Sequence, residues 1–290
     1  MAHAHPPSGA GAYAGYMRSL VGISHGTASA AGQLAIAHLM AAVTTANPDV
    51  QVSSGCVDVQ RPNVAEALAA LPNGQTSVIV PLLLSGGYHV HVDLERAVQA
   101  NRSMCVLART LGPDHRIATV QRTRLIESGW VPGSPPDDAV VIMVAAGSSD
   151  SRAADDCLEA GALLAHAIGQ TVTVAYLAAQ DPTPAEAIDA ARQQHPHRPI
   201  FVSSYLLAPG YFQSLLESTF GRNRNADADA DVSGQSHAGV TVTAPILNAA
   251  GQPDAALVNL ISDRYHTAAT ECSDGPILLP TLPTLPRSEI

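Results

Sequence analysis

The segment PLLLSGGYH at residues 81–89 recurs in changed form as SYLLAPGYF at residues 204–212. Each copy runs from an apolar stretch of strand length into a turn of small residues that a tyrosine follows. Four aligned pairs are identical, namely Leu83 with Leu206, Leu84 with Leu207, Gly87 with Gly210 and Tyr88 with Tyr211. A repeat of this kind, at a separation of about 120 residues, predicts a duplicated structural unit.

Two further blocks repeat in the same order and at nearly the same separation. A helix-opening block has proline, alanine, glutamate and alanine in both copies, at Pro62, Ala65, Glu66 and Ala67 and again at Pro182, Ala185, Glu186 and Ala187. A strand-to-helix turn has glycine followed by a small hydroxyl residue, at Gly26–Thr27 and again at Gly147–Ser148. The chain is therefore predicted to contain two copies of one domain.

Segments rich in valine, isoleucine and leucine alternate with alanine-rich segments in both halves. The predicted strands are 19–24, 50–58, 77–84 and 116–120 in the first half and 139–145, 171–177, 199–207 and 239–244 in the second. Strands that alternate with helices pair in parallel through helical crossovers. We therefore predict an α/β fold of two similar domains, each a parallel sheet flanked by helices, that face each other across a cleft. Ligands of such sheets bind beyond the carboxyl ends of the strands.

A stretch rich in proline and glycine, residues 130–138, separates the two halves and is predicted to be a linker. The N-terminal domain before it, residues 18–129, carries the predicted active site. The C-terminal domain after it, residues 139–267, is predicted to be a degenerate copy. Residues 1–17 and 268–290 are predicted to be a flexible N-terminus and a flexible tail.

Composition excludes several classes of protein. The formal net charge is −10, from 15 Lys+Arg against 25 Asp+Glu, so neither nucleic acid nor an anionic membrane surface is an expected partner. The longest apolar runs have the length of strands, and no export segment is recognisable, which predicts a cytoplasmic protein. The four cysteines show no C-x-x-C spacing for zinc or iron–sulfur binding: Cys56, Cys105, Cys157 and Cys272.

Three aligned positions carry a reactive side chain in the first copy only. The pairs are His25 with Ala146, Asp58 with Ala178, and His89 with Phe212. All three lie at or just beyond the carboxyl ends of predicted strands, where a ligand would bind. Packing would require similar residues in both copies, so the difference indicates one working site and one that has lost its function. Two imidazoles and a carboxylate suit a borderline divalent metal, and an imidazole accepts protons near neutral pH.

The residues beside the two histidines are predicted to contact the substrate. They are Gly26, Thr27, Ser85, Gly86 and Gly87. The glycines let the chain turn sharply and let the backbone approach a flat ligand. Other histidines remain as alternatives: His91 competes with His89 as the second imidazole, His38 is expected on a helix, and His3 and His5 lie in the predicted flexible N-terminus.

These motifs resemble those of the class II sirohydrochlorin chelatases. A hydrophobic strand runs into Ser24-His25-Gly26-Thr27, where that family has His-Gly-Ser, and an acidic residue precedes a helix-opening proline, here Asp58 before Pro62. A later strand with the sequence Val80-Pro81-Leu82-Leu83-Leu84 leads to Gly86, Gly87, His89 and Asp93. The resemblance extends over roughly residues 18–266.

The resemblance implies an enzyme of two similar α/β domains, without an organic cofactor, whose divalent metal is a substrate. It assigns metal binding and proton transfer to His25 and His89, with Asp58 assisting. Many relatives have glutamate at the position of Asp58, so the carboxylate here reaches less far. The expected partners are sirohydrochlorin and a metal ion, and the two pseudo-symmetric domains predict a monomer. Four arginines are candidates for the substrate carboxylates: Arg61, Arg96, Arg122 and Arg124.

The leading expectation is a sirohydrochlorin ferrochelatase that inserts Fe²⁺ to give sirohaem. Insertion of Co²⁺ during cobalamin synthesis is the second, because iron and cobalt accept the same ligands. A carrier that holds a divalent metal without acting on a tetrapyrrole is the third. A two-domain binding protein of the periplasmic kind is the fourth, and the missing export segment counts against it.

Overall fold

Both halves of the chain form a four-stranded parallel sheet. The structure is a computed structural model, and it describes residues 17–71, 76–87, 94–99, 105–133, 138–221, 239–248 and 252–273. The first sheet contains β1 (Met17–Ser24), β2 (Gln51–Cys56), β3 (Thr76–Pro81) and β4 (Cys105–Leu107). The second contains β5 (Val140–Ala145), β6 (Val172–Tyr176), β7 (Ile200–Tyr205) and β8 (Val240–Val242). Their strand orders, β2-β1-β3-β4 and β6-β5-β7-β8, are equivalent.

Eight helices in the described residues accompany the strands. They are α1 (Ala30–Ala46), α2 (Val64–Ala69), α3 (94–99), α4 (His115–Glu127), α5 (Ser151–Ile168), α6 (Pro184–Gln194), α7 (Tyr211–Phe220) and α8 (Ala255–Ser273). No helix in the described ranges is long and apolar enough to cross a membrane. The predicted fold class, two α/β domains with parallel sheets, is confirmed.

The prediction of a strand at residues 116–120 is wrong, because these residues lie in α4. The Asp114 side chain accepts a hydrogen bond from the backbone N–H of Arg116 and so caps the helix. The buried residues Ile117 and Val120 are three apart, a spacing that places them on one helical face. The fourth strand of the first sheet is β4, whose three residues are too short for a clear sequence signal.

The backbone shows the duplication in detail at the turns after β1 and β5. Gly26 has φ 96° and Gly147 has φ 86°, a region that favours glycine. A methyl group on either would lie 1.9 Å from a backbone oxygen, that of Asp58 for Gly26 and that of Ala178 for Gly147. The helices that follow the second strands also begin alike, because α2 and α6 both start with a capping box.

The two halves exchange their last helices. Helix α4 of the first half packs against α5 and β7 of the second, and α8 packs against α1, β3 and β4 of the first. Buried polar groups join the halves at the same places, since Gln121 donates to Ser203 Oγ at 3.1 Å and Asn47 donates to Ser262 Oγ at 2.9 Å. One hydrophobic cluster therefore contains residues of both sheets. Helix α8 also extends to Ser273, into the segment predicted as a flexible tail.

Asp114 connects the exchanged helices through two arginines. Its carboxylate accepts from Arg116 Nε at 2.9 Å and lies 3.3 Å from Nη2 of Arg264 on α8. Burial raises the pKa of Asp114, but the hydrogen bonds from Arg116 and the positive charges of both arginines outweigh it and hold that pKa below its usual value.

Asp114→Asn is expected to lower the free energy of unfolding by about 1.5 kcal/mol at pH 7, because asparagine keeps an acceptor and loses the charge. A folded-state pKa below the unfolded value of about 3.9 stabilises the fold above that pH, and this stabilisation is lost as the pH falls through the folded value. The difference between the two proteins in urea unfolding should therefore be largest at pH 7 and should shrink as the pH falls below about 3.9. A difference that is unchanged at pH 3 would contradict this assignment.

Candidate active site

A cavity of about 630 Å³ lies where the carboxyl ends of the two sheets meet. Five of the predicted site residues line it, namely His25, Gly26, Thr27, Ser85 and Gly87. The opposite wall carries the equivalent loops of the second half, including Ala146, Gly147, Ser148, Ala208, Pro209, Gly210, Tyr211 and Phe212. The structure thus brings the aligned loops of the two copies together around one space.

His25 directly follows the last residue of β1, and its side chain is exposed at the cavity. Its backbone oxygen accepts a hydrogen bond from the N–H of Asp58 at 3.0 Å. Two residues further along the same turn, the Thr27 N–H donates to Gln60 Oε1 at 2.9 Å. The loop after β2 therefore fixes the backbone on both sides of Gly26, while the imidazole of His25 remains open to the cavity.

Asp58 is next to His25 through the backbone, but it is not among the residues that line the cavity. Its carboxylate Oδ1 accepts from the N–H of Val59 at 2.7 Å, and the residue is exposed. The sequence placed Asp58 at the correct strand end and could not give the direction of its side chain. Its part in metal handling remains a prediction.

His89, the second predicted ligand, lies outside the described residues, as do the alternatives His91, His3 and His5. The described chain reaches Gly87, which lines the cavity, two residues before His89. Within the described ranges, no group of three or more His, Cys, Asp or Glu residues could hold a metal ion. The predicted pairing of the two histidines therefore remains a prediction.

The predicted carboxylate-binding arginines do not line the cavity, and its described wall contains neither arginine nor lysine. Arg124 donates to the backbone oxygens of Pro245 and Ile246 and pairs with Glu127, so it joins the exchanged helix to the second half. Arg61 pairs with Glu66 near the start of α2. Arg96 and Arg122 are likewise absent from the wall.

Sequence reasoning missed two buried residues of the cavity wall, Cys157 and Tyr205. The pKa of the Cys157 thiol is raised to about 11, mainly by burial and also by the charge of Asp156, while a hydrogen bond with Ser85 acts in the opposite direction. The Tyr205 hydroxyl donates to the backbone oxygen of Leu84 at 2.8 Å, and burial raises its pKa well above the usual value. Both align with aliphatic residues of the first copy, Ile36 and Leu82, a difference that could have identified them.

The two halves also approach each other at crossed pairs of aligned residues. A methyl group on Gly210 would lie 3.3 Å from Thr27 Oγ1, and one on Gly87 would lie 3.4 Å from Ser148 Oγ. The hydroxyl residue after each strand-to-helix turn therefore lies next to the glycine, Gly87 or Gly210, that the other half has at the matching position of the repeat. The pseudo-symmetry predicted from the sequence extends across the cavity itself.

Two duplicated parallel sheets with a shared cavity at their carboxyl ends define a two-domain α/β protein with a candidate ligand site between the copies. A family model describes this arrangement: CbiX matches residues 19–128 and again residues 140–266. The chain belongs to the CbiX family. The resemblance to the class II sirohydrochlorin chelatases is therefore confirmed.

Individual relatives agree with this assignment. The sirohydrochlorin ferrochelatase of Priestia megaterium is 28% identical over 173 residues, which cover 57% of this chain and 64% of that protein. The sirohydrochlorin cobaltochelatase of the same organism is 24% identical over 160 residues, which cover 51% of each. The chain thus spans less than two thirds of the length of these curated relatives.

Solved structures share the fold. SirB from Bacillus subtilis with Fe³⁺ superposes with a TM-score of 0.67 at 18% identity, over 89% of this chain and 98% of that one. CbiX, described as the terminal enzyme for biosynthesis of siroheme in denitrifying bacteria, superposes with a TM-score of 0.56 at 18% identity, over 87% of this chain and 99% of that one.

Proposed function

We propose that this chain is a sirohydrochlorin chelatase, a lyase that inserts a divalent metal ion into the tetrapyrrole. The observation that supports it most directly is the one-sided cavity, with His25 in one wall and Ala146 at the equivalent position of the other. A protein that only bound a ligand between two equivalent walls would not need a histidine in one wall and an alanine in the other. Proton removal at one face of the ligand accounts for this difference. The curated relatives are named for sirohydrochlorin and differ in the metal, iron or cobalt.

The cavity suits the flat, apolar ring system of a tetrapyrrole. Its volume of about 630 Å³ lies within the range of small-molecule sites. Leu206, Leu207 and Phe212 supply apolar surface. Two large hydrophobic residues of its wall are exposed, Val59 at 60% and Tyr211 at 75%, which favours a ligand that covers them.

The reaction releases two protons, because the metal ion replaces the hydrogens of two pyrrole N–H groups as its bonds to nitrogen form. His25 accepts one of them, because an imidazole can act as a general base. In this proposal His89 accepts the second proton and also binds the incoming metal ion. The carboxylate of Asp58 balances the positive charge of that ion. The metal is a substrate in this scheme, and no organic cofactor takes part.

Fe²⁺ is the metal that we propose first, with Co²⁺ as the alternative. Imidazole and carboxylate ligands accept both ions, so the side chains of this chain do not separate them. A third function, a carrier that binds the metal and leaves the tetrapyrrole unchanged, has no need of an apolar cavity of this size. We expect a monomer to suffice, because each half supplies one wall of the cavity.

An insertion assay under anaerobic conditions tests this function. Purified protein is mixed with sirohydrochlorin and either Fe²⁺ or Co²⁺, and the absorbance of the metallated product is followed. We expect a rate proportional to protein concentration and higher with Fe²⁺, compared with a reaction without protein. A higher rate with Co²⁺ would favour the cobaltochelatase. Stoichiometric metal binding without insertion would refute the chelatase and support the carrier.

A further inference from the structure

The second half holds the loop that leads from β3 toward His89. At residues 84–87, the Leu84 oxygen accepts from the buried Tyr205 hydroxyl at 2.8 Å. Two residues on, the Gly86 N–H donates to Oδ2 of Asp156 at 2.7 Å. Both Tyr205 and Asp156 belong to the second sheet and its helix α5, so the contacts cross from one copy to the other.

This attachment has no equivalent on the other side of the cavity. The repeat aligns Gly86 with Pro209, which has no N–H to donate, and aligns Asp156 with Ala35, which has no carboxylate. There, helix α1 and the loop meet through backbone, because a methyl group on Gly32 would lie 2.1 Å from the Pro209 oxygen. The carboxylate therefore secures only the loop that precedes a histidine.

We propose that Asp156 is a positioning residue for the chelatase reaction, because it holds the 84–87 loop, whose Ser85 and Gly87 line the cavity and which precedes His89 in the sequence. The inference rests on the proposed function and deepens it, since it assigns the degenerate copy a part in catalysis. A carboxylate that accepts a backbone N–H forms a charge-assisted hydrogen bond, stronger than one between neutral groups. Partners of this kind orient metal-binding groups, and their loss typically lowers affinity or activity about 10- to 100-fold.

Three variants of α5 test this role. Asp156→Ala removes the acceptor, Asp156→Asn keeps an acceptor oxygen without the charge, and Asp155→Ala changes the exposed neighbouring carboxylate as a matched control. Two readouts are compared: hydrogen exchange of the Gly86 amide, which does not depend on activity, and kcat and KM for metal insertion. Thermal unfolding checks that all variants retain the fold.

For Asp156→Ala, we expect Gly86 to exchange at least about 10-fold faster and kcat to fall about 10- to 100-fold, with KM for the tetrapyrrole within about two-fold of wild type. Asp156→Asn should recover most of both quantities, and Asp155→Ala should match wild type. The proposal is overturned if Asp156→Ala matches Asp155→Ala, or if asparagine is as defective as alanine. Wild-type protein without insertion activity would refute the proposed function, and the exchange of Gly86 would still decide whether Asp156 holds the loop.

Discussion

His25→Ala is expected to lower kcat for metal insertion about 1,000-fold, because it removes a base that accepts a pyrrole proton. The free energy of unfolding should stay within about 0.5 kcal/mol of wild type, since the side chain is exposed. The hydrogen bond to Asp58 uses the backbone oxygen, which alanine retains. Initial rates at saturating sirohydrochlorin and metal, together with urea unfolding, measure both quantities.

A matched control is His38→Ala, which removes an exposed histidine of α1 outside the cavity wall and should leave kcat unchanged. His89→Ala is expected to abolish insertion in the same way. Phe212→Ala, at the aligned position of the second copy, should mainly affect packing. Wild-type turnover by His25→Ala or by His89→Ala would refute the assignment of these histidines.

Gly26→Ala is expected to lower the free energy of unfolding by more than about 3 kcal/mol, for two reasons. Its φ of 96° is unfavourable for alanine, and the added methyl group would lie 1.9 Å from the backbone oxygen of Asp58. Because that oxygen belongs to backbone, it cannot turn away as a flexible side chain would. Urea unfolding of the variant measures the loss.

Gly129→Ala separates the two contributions. Gly129 has φ 100°, and a methyl group on it would have no neighbour within 4 Å, so this variant reports the backbone conformation alone. We expect a loss of about 1–2 kcal/mol at Gly129. If both variants lost the same free energy, the close approach of Asp58 to Gly26 would have no energetic effect, contrary to the expectation.

Most of the fold could be predicted because the chain repeats itself. The pair Gly87 and Gly210 and the pair Gly26 and Gly147 identified equivalent loops, and those loops do meet at one cavity. The predicted strand at 116–120 failed because a short segment with apolar residues at 117, 118 and 120 is compatible with either a strand or a buried helical face. The segment forms a helix because the helical pattern continues over 13 residues and because Asp114 caps its N-terminus.

Side-chain direction and long-range contacts could not be predicted from the repeat. Asp58 follows its strand as expected, yet its carboxylate turns to the N–H of Val59. Arg124 was a candidate ligand for carboxylates, and its guanidinium instead binds backbone oxygens of the second half. The first outcome is a side-chain direction that the repeat does not fix, and the second depends on how distant segments pack, which local sequence does not encode.

The exchange of α4 and α8 makes the two copies depend on each other for their fold. Each sheet is covered by a helix encoded with the other, so removing either copy would expose apolar surface on the one that remains. The second copy, which has Ala146 where the first has His25, is therefore still required for the fold. It remains an obligate half of the molecule, and its residues can then take on a supporting role for the site in the first copy.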